Sequence, residues 1–226
     1  EISACLVGSE MCIRDSTWFG LEQEYTLMRN GRPLGFPENG YPAPQGQYYC
    51  SVGATNAYGR PIAEKHLEAC LSAGLRISGI NAEVCPGQWE YQVGPSGPVE
   101  VSDDLWLARY LLERIAEDYD VAVSYDAKPV EGDWNGSGCH TNFSTKQMRE
   151  SYDACEQAAE ALGQNPSEHI MNYGMGISKR LTGDHETCSF TEYRWGVSDR
   201  GASVRVPWQV SKNKKGYIED RRPNAN

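Results

Sequence analysis

Four glutamates, one histidine and a set of arginines carry the residue types from which a metal-assisted reaction could be built. Glu22 and Glu24 lie two apart in Trp18–Met28, WFGLEQEYTLM, so both project from the same face of a strand. Glu90 occupies the polar face of a second alternating run, Gln88–Val93, and Glu83 lies at a strand end. The segments around Glu22, Glu24 and Glu90 are rich in Trp, Phe and Tyr, which belong inside a protein. Carboxylates gathered there repel one another and need cations to stay ionised. Hard oxygen donors with an occasional imidazole suit Mg²⁺ or Mn²⁺, which in turn grip phosphate oxygens. His140 offers the imidazole, within Asn135-Gly-Ser-Gly-Cys-His-Thr-Asn-Phe-Ser144. The glycines there expose backbone N–H groups to an anion, and Asn142 and Ser144 add hydrogen-bonding side chains. This element is not a Walker motif, because the Gly-Lys-Ser/Thr is missing. Arg180, Arg200, Arg205, Arg221 and Arg222 crowd the last part of the chain. Scattered surface ion pairs would explain them without function. Arginines facing a metal–carboxylate group would instead serve phosphoryl transfer, since a guanidinium grips carboxylate or phosphate through paired hydrogen bonds.

The elements that must position these groups follow from periodicity. Trp18–Met28 reads as a strand, followed by a Gly-, Pro- and Asn-rich loop over 30–47. Pro61–Ala73 reads as a helix ended by Gly74, and strands follow at Leu75–Asn81 and Gln88–Val93. Ser102 is expected to cap a long amphipathic helix running to about Asp120. A strand over 121–126, a helix over 146–162 and a strand over 203–206 complete the set. On the latter, Ser203 and Arg205 share one face, as Tyr217, Glu219 and Arg221 would near the end of the chain. Strands and helices mix without strict alternation, which favours α+β.

Composition excludes several function classes. The chain has 226 residues and a net charge of -10, the wrong sign for a nucleic-acid binder. No stretch approaches the roughly 18 apolar residues of a membrane span. The eight cysteines, at 5, 12, 50, 70, 85, 139, 155 and 188, form no CxxC pair, so neither a disulfide nor a structural zinc is expected. A reducing, cytoplasmic setting fits. Residues 1–16 have no clean period and make a poor signal peptide. The polar, turn-like ending Arg221–Asn226 suggests a piece of a longer protein.

Six motifs in order, WFGLEQEYTLM, NAEVCPGQWEYQVGP, NGSGCHTNFS, KRLTGDHET, DRGASVRVP and KGYIEDRRPNAN, closely resemble glutamine synthetase of the eukaryotic type, class II, from Trp18 to Asn226. The resemblance implies a glutamine synthetase catalytic domain over 17–226, with a curved antiparallel β-sheet flanked by helices. It lacks the N-terminal β-grasp domain and is C-terminally truncated, and residues 1–16 form a non-native or unassigned leader. It further implies that Glu24, Glu83 and Glu90 hold the metal beside the amino-acid substrate. Glu22, His140 and Glu219 hold the metal between the nucleotide phosphates. Asn135, Gly136, Arg180, Arg200 and Arg221 would bind glutamate, and Asn142, Ser144, Arg205 and Tyr217 would contact ATP. Glu186 matches the flap glutamate, which acts with Arg180 and Arg200 in catalysis. The implied reaction is ATP-dependent ligation of ammonia to glutamate through γ-glutamyl phosphate, with Mg²⁺ or Mn²⁺, in the cytoplasm. The family forms a homo-oligomeric, decameric ring whose neighbouring subunits share each active site, so this fragment alone is expected to be inactive. Trp208 departs from the pattern, standing where many relatives carry a phosphate-contacting arginine. Two rivals stay open here: a γ-glutamyl-amine or polyamine ligase, and a non-catalytic structural or regulatory homologue.

Overall fold

A computed structural model describes residues 17–226, so the reading of residues 1–16 lies outside the described residues. In chain order the elements are β1 (Trp18–Arg29), β2 (Arg32–Pro33), α1 (Arg60–Ser72), β3 (Ile77–Ala82), β4 (Gln88–Ser96), α2 (Pro98–Glu117), β5 (Ala122–Ser124) and β6 (Cys139–Ser144). Then come α3 (Tyr152–Ala161), α4 (Pro166–Asn172), α5 (Ile177–Arg180), β7 (Trp195–Val197), β8 (Val204–Val206), α6 (Trp208–Asn213) and β9 (Ile218–Asp220).

One sheet joins all nine strands, in the order β3-β4-β1-β6-β9-β8-β7, with β2 and β5 also paired to β1. The architecture is α+β, as expected. The sheet is not wholly antiparallel: β7 and β8 run parallel, joined through the 198–203 turn region. Such short strands carry no pattern that reveals their direction.

The alternation in β1 decides how the molecule is layered. Tyr25 and Leu27 are fully buried in a core with Trp89, Tyr91 and Val93 of β4 and with Ala108 and Leu112 of α2. A smaller core under α3 gathers Val204, Val206 and Ile218 with Met148 and Cys155. Because side chains alternate along a strand, the intervening residues (Glu22, Glu24, Glu90, His140, Arg205 and Glu219) fall on the opposite face. Register aligns them: Glu24 pairs across from Glu90, Glu22 from His140, and Arg205 from Glu219.

Two helix expectations need correction. The long helix starts at Pro98, capped by Gly97, and Ser102 sits inside it, its hydroxyl donating to the Pro98 carbonyl at 2.7 Å. Proline preset for the first helical turn outcompetes the downstream serine. The helix expected over 146–162 spans Tyr152–Ala161, because the Thr145 hydroxyl accepts the Met148 N–H at 3.2 Å and turns the chain first. Three short helices, α4, α5 and α6, had no sequence reading. Cysteines 50, 70, 85, 139, 155 and 188 are free thiols. No described helix is long and apolar enough to cross a membrane.

Removing the Leu112 side chain, fully buried in the larger core, should cost about 3 kcal/mol in denaturant unfolding. Ser102→Ala should stay within about 0.5 kcal/mol, since the serine is not the cap; a loss of a full cap's worth would contradict this.

Candidate metal centre

Two clusters of three donors stand side by side on the polar face of the sheet. Glu24, Glu83 and Glu90 form one, and Glu22, His140 and Glu219 the other; within each, one donor atom per residue lies within 4.8 Å of the others. Glu22 and Glu24, two apart on β1, thus enter different clusters.

Each donor is held by its neighbours. Glu24 Oε2 accepts the Gly138 N–H at 2.7 Å and the Gln88 amide at 3.3 Å. Glu83 accepts the Asn81 amide at 2.8 Å, and Glu90 accepts the Gln92 amide, which also donates to Asn81 at 2.9 Å. Even so, burial pushes these carboxyls up, to about 7 for Glu24, about 8 for Glu83 and about 9 for Glu90. For Glu83 the charge of Glu24 is the next cause, and for Glu90 that of Glu83. Three acids that resist ionising together are short of positive charge, which a hard divalent cation supplies.

The second cluster is arranged differently. His140 Nδ1 lies 3.5 Å from Glu22 and 3.6 Å from Glu219. Burial first, and then the charge of Arg221, hold the imidazole well below its usual range, so it is neutral and offers a lone pair. Asn142 donates to Glu22 at 2.8 Å. Glu219, fully buried, is gripped by Arg205 at 2.5 Å and Arg221 at 2.6 Å. Two carboxylates and one imidazole suit a magnesium- or manganese-type ion. Both donor sets therefore fit the expected metals.

Glycine is required at 136, where a Cβ would lie 2.3 Å from the Ala127 carbonyl, and a Cβ on Gly138 would be tight, 3.0 Å from both Arg180 Nη1 and His140 Nε2.

The arginines divide by role. Arg180 is buried, and its Nε donates to Asn224 at 2.8 Å while its Nη2 donates to the carbonyls of Arg221, Arg222 and Pro223. Most of its donors therefore brace the chain, at a point where the side chain also borders the cavity. Arg200 faces Glu186 at 3.5 Å and lies over the Tyr49 ring at 5.8 Å. Arg222 lies away from the site: it pairs with Asp220 at 2.7 Å, between the rings of Tyr173 and Tyr193.

A cavity of about 220 Å³ lies over the clusters, walled also by Asn135, Gly136, Arg180, Arg200, Arg205, Arg221 and Glu186. A second of about 510 Å³ adjoins it, sharing Glu22 and Gln92 and lined by Phe19, Phe143, Asn142, Ser144 and Tyr217. Of the residues expected at the nucleotide, Asn142, Ser144 and Tyr217 border the larger cavity, whereas Arg205 borders the smaller. Tyr49 and His185 wall the small cavity without having been read as site residues. Both sit in segments with no period, and only proximity to a motif could have flagged His185. Gln92 was visible as Glu90's neighbour on the same strand face.

A sheet presenting two adjoining carboxylate clusters, arginines and a pair of cavities defines an α+β domain with a candidate two-metal site. Residues 10–226 match the family "Glutamine synthetase, catalytic domain", and the chain belongs to that family. It is 68% identical over 210 residues to a glutamine synthetase of Streptomyces viridochromogenes, covering 92% of this chain and 61% of that one. Identity to a Frankia alni glutamine synthetase is 60% over 211 residues, covering 93% and 60% of the two chains. Against the cytosolic isozyme 2 of Vitis vinifera it is 54% over 218 residues, covering 95% and 61%. The chain thus spans about 60% of the length of the relatives it matches.

Carboxyls raised above the unfolded value of 4.5 bind protons in the folded state that the unfolded chain releases. Metal-free stability should therefore fall as pH rises from 4.5 towards about 9, and a bound cation should reverse that loss. Magnesium or manganese should raise the melting temperature more at about pH 9 than at about pH 6. Equal shifts at both, or no change in the shift for Glu90→Ala, would refute it.

Proposed function

We propose that the whole protein is a glutamine synthetase, joining ammonia to glutamate with ATP. The observation that carries this is the division of Glu22 and Glu24 between two adjoining donor clusters at one arginine-walled cavity, with Glu22 also bordering the larger, more apolar cavity. An ATP-dependent ligase needs that layout, a phosphate-side centre and a carboxylate-side centre within reach of each other.

In this reading Glu24, Glu83 and Glu90 hold one divalent ion, magnesium or manganese, and Glu22, His140 and Glu219 the other. When bound, these ions offset the repulsion between the phosphates and the substrate carboxylate. The remaining work falls to the chain. Phe19 and Phe143 offer the base an apolar berth, while Asn142, Ser144 and Tyr217 orient the nucleotide. Asn135, Gly136, Arg180, Arg200 and Arg221 hold glutamate and spread the charge on the transferring phosphoryl group. A γ-carboxylate oxygen of glutamate attacks the terminal phosphorus, and ADP leaves. Ammonia then attacks the acyl carbon, and phosphate departs. Glu186, drawn over the cavity by Arg200, accepts the ammonium proton and shields the acyl phosphate from water.

Residues from a neighbouring copy complete the site within a homo-oligomer, and the protein works in the cytoplasm. Trp106 and Tyr110, 68% and 60% exposed on α2, offer apolar surface to such an assembly.

Glu186→Ala in the intact protein should lower glutamine formation by roughly a hundredfold or more, within the range of a lost general base. Full retention would defeat Glu186's role. Product formed from larger amines in preference to ammonium would defeat the ammonia assignment.

A further inference from the structure

We infer that Gln45 is a positioning residue that ties the substrate-side Asn135 turn to the Gly183–Glu186 turn, so that anchoring and closure act as one unit. The inference rests on the ligase reading above and assigns a task to a loop with no sequence signal.

The geometry leaves little choice of orientation. The Asn135 backbone N–H can only donate, and it reaches Gln45 Oε1 at 2.8 Å. That sets the amide, whose Nε2 then donates to Asn135 Oδ1 at 2.6 Å and lies 3.3 Å from His185 Nδ1. With Nδ1 accepting, a neutral His185 carries its proton on Nε2, the atom 3.3 Å from Asp133 Oδ1. One glutamine thereby closes a path from Asp133 through His185 to Asn135.

Two further observations fit this task. His185 and Glu186 both adopt positive φ, 52° and 58°, a conformation that non-glycine residues hold only when their surroundings impose it. The Gln45 and Asp133 contacts grip the first, and Arg200 and Arg221 grip the second. The loop bearing Gln45 is itself anchored beside Asn135: Phe36 and Tyr41 pack on Trp134, with ring centres at 5.1 and 6.3 Å. Because Asn135 Oδ1 is engaged by Gln45, its NH₂ is the end turned to other partners. Loss of Gln45 frees that carboxamide to rotate and releases the turn that carries Glu186.

The test compares Gln45→Met and His185→Phe with the wild type in the intact protein. Wild type should release about one phosphate per glutamine. Gln45→Met should raise phosphate per glutamine roughly tenfold, as water reaches the acyl phosphate, and raise the KM for glutamate by a similar factor with the KM for ATP unchanged. His185→Phe should raise the phosphate ratio but leave the glutamate KM within about twofold. A merely structural role would lower kcat without uncoupling. Hydrogen exchange supplies a readout independent of turnover: Gln45→Met should speed amides 134–137 and 182–188 several-fold while β1 stays protected. Coupled turnover with unchanged KM, or unchanged exchange at both turns, overturns the role of Gln45. A wild type that forms no glutamine defeats the ligase reading instead, and the exchange result then decides the tie alone.

Discussion

Everything on the polar face of this sheet answers to one constraint, the cost of placing like charges together away from water. Glu24, Glu83 and Glu90 are crowded enough that burial raises all three carboxyls far above their usual range. The fold accepts that cost because the opposite face is bound by strong packing: Tyr25, Leu27, Trp89 and Tyr91 lock β1 and β4 against α2. A sheet less firmly held would relieve the repulsion by letting water in or by separating its strands. The apolar core is thus the mechanical support for an electrostatically unfavourable surface.

The two clusters solve the same problem by different means. In one, neutral amides (Gln88, Asn81 and Gln92) supply hydrogen bonds, leaving the charge deficit to be met by an ion. In the other, Arg205 and Arg221 neutralise Glu219 directly, and burial keeps His140 uncharged. Arginine charge pairs directly with a carboxylate on one side, while on the other Arg180 and Arg221 act on Glu24 without overcoming its burial.

What was legible in the sequence follows the same physics. A two-residue alternation flanked by aromatics exposes the faces of β1 and β4, so Glu22, Glu24 and Glu90 were readable as a group from spacing alone. Alternation put Glu219 on one face with Tyr217 and Arg221, but its part in a donor set, like Glu186 altogether, entered through motif resemblance. Gln45 and Tyr49 were out of reach because their positions depend on loop packing, such as Phe36 and Tyr41 against Trp134, and His185 was visible only as a member of the KRLTGDHET motif. Arg222 stood among the clustered arginines with no role assigned, because a guanidinium next to a site looks the same in sequence whether it faces the cavity or, as here, Asp220 behind it. The parallel pairing of β7 and β8 was invisible for a related reason, as three-residue strands hold too little pattern to set direction.

The placement of Glu22 and Glu24 on one continuous strand has a metric consequence. Strand residues rise about 3.4 Å each, so their Cα atoms are spaced at roughly 7 Å by covalent geometry. Loops drift and cavities reshape, but that interval has no hinge with which to stretch. The strand works as a ruler with two graduations, and whatever bridges the two donor clusters must be matched to its fixed length. Inserting one residue between the marks would not lengthen the ruler usefully; it would turn one glutamate into the core and erase a graduation.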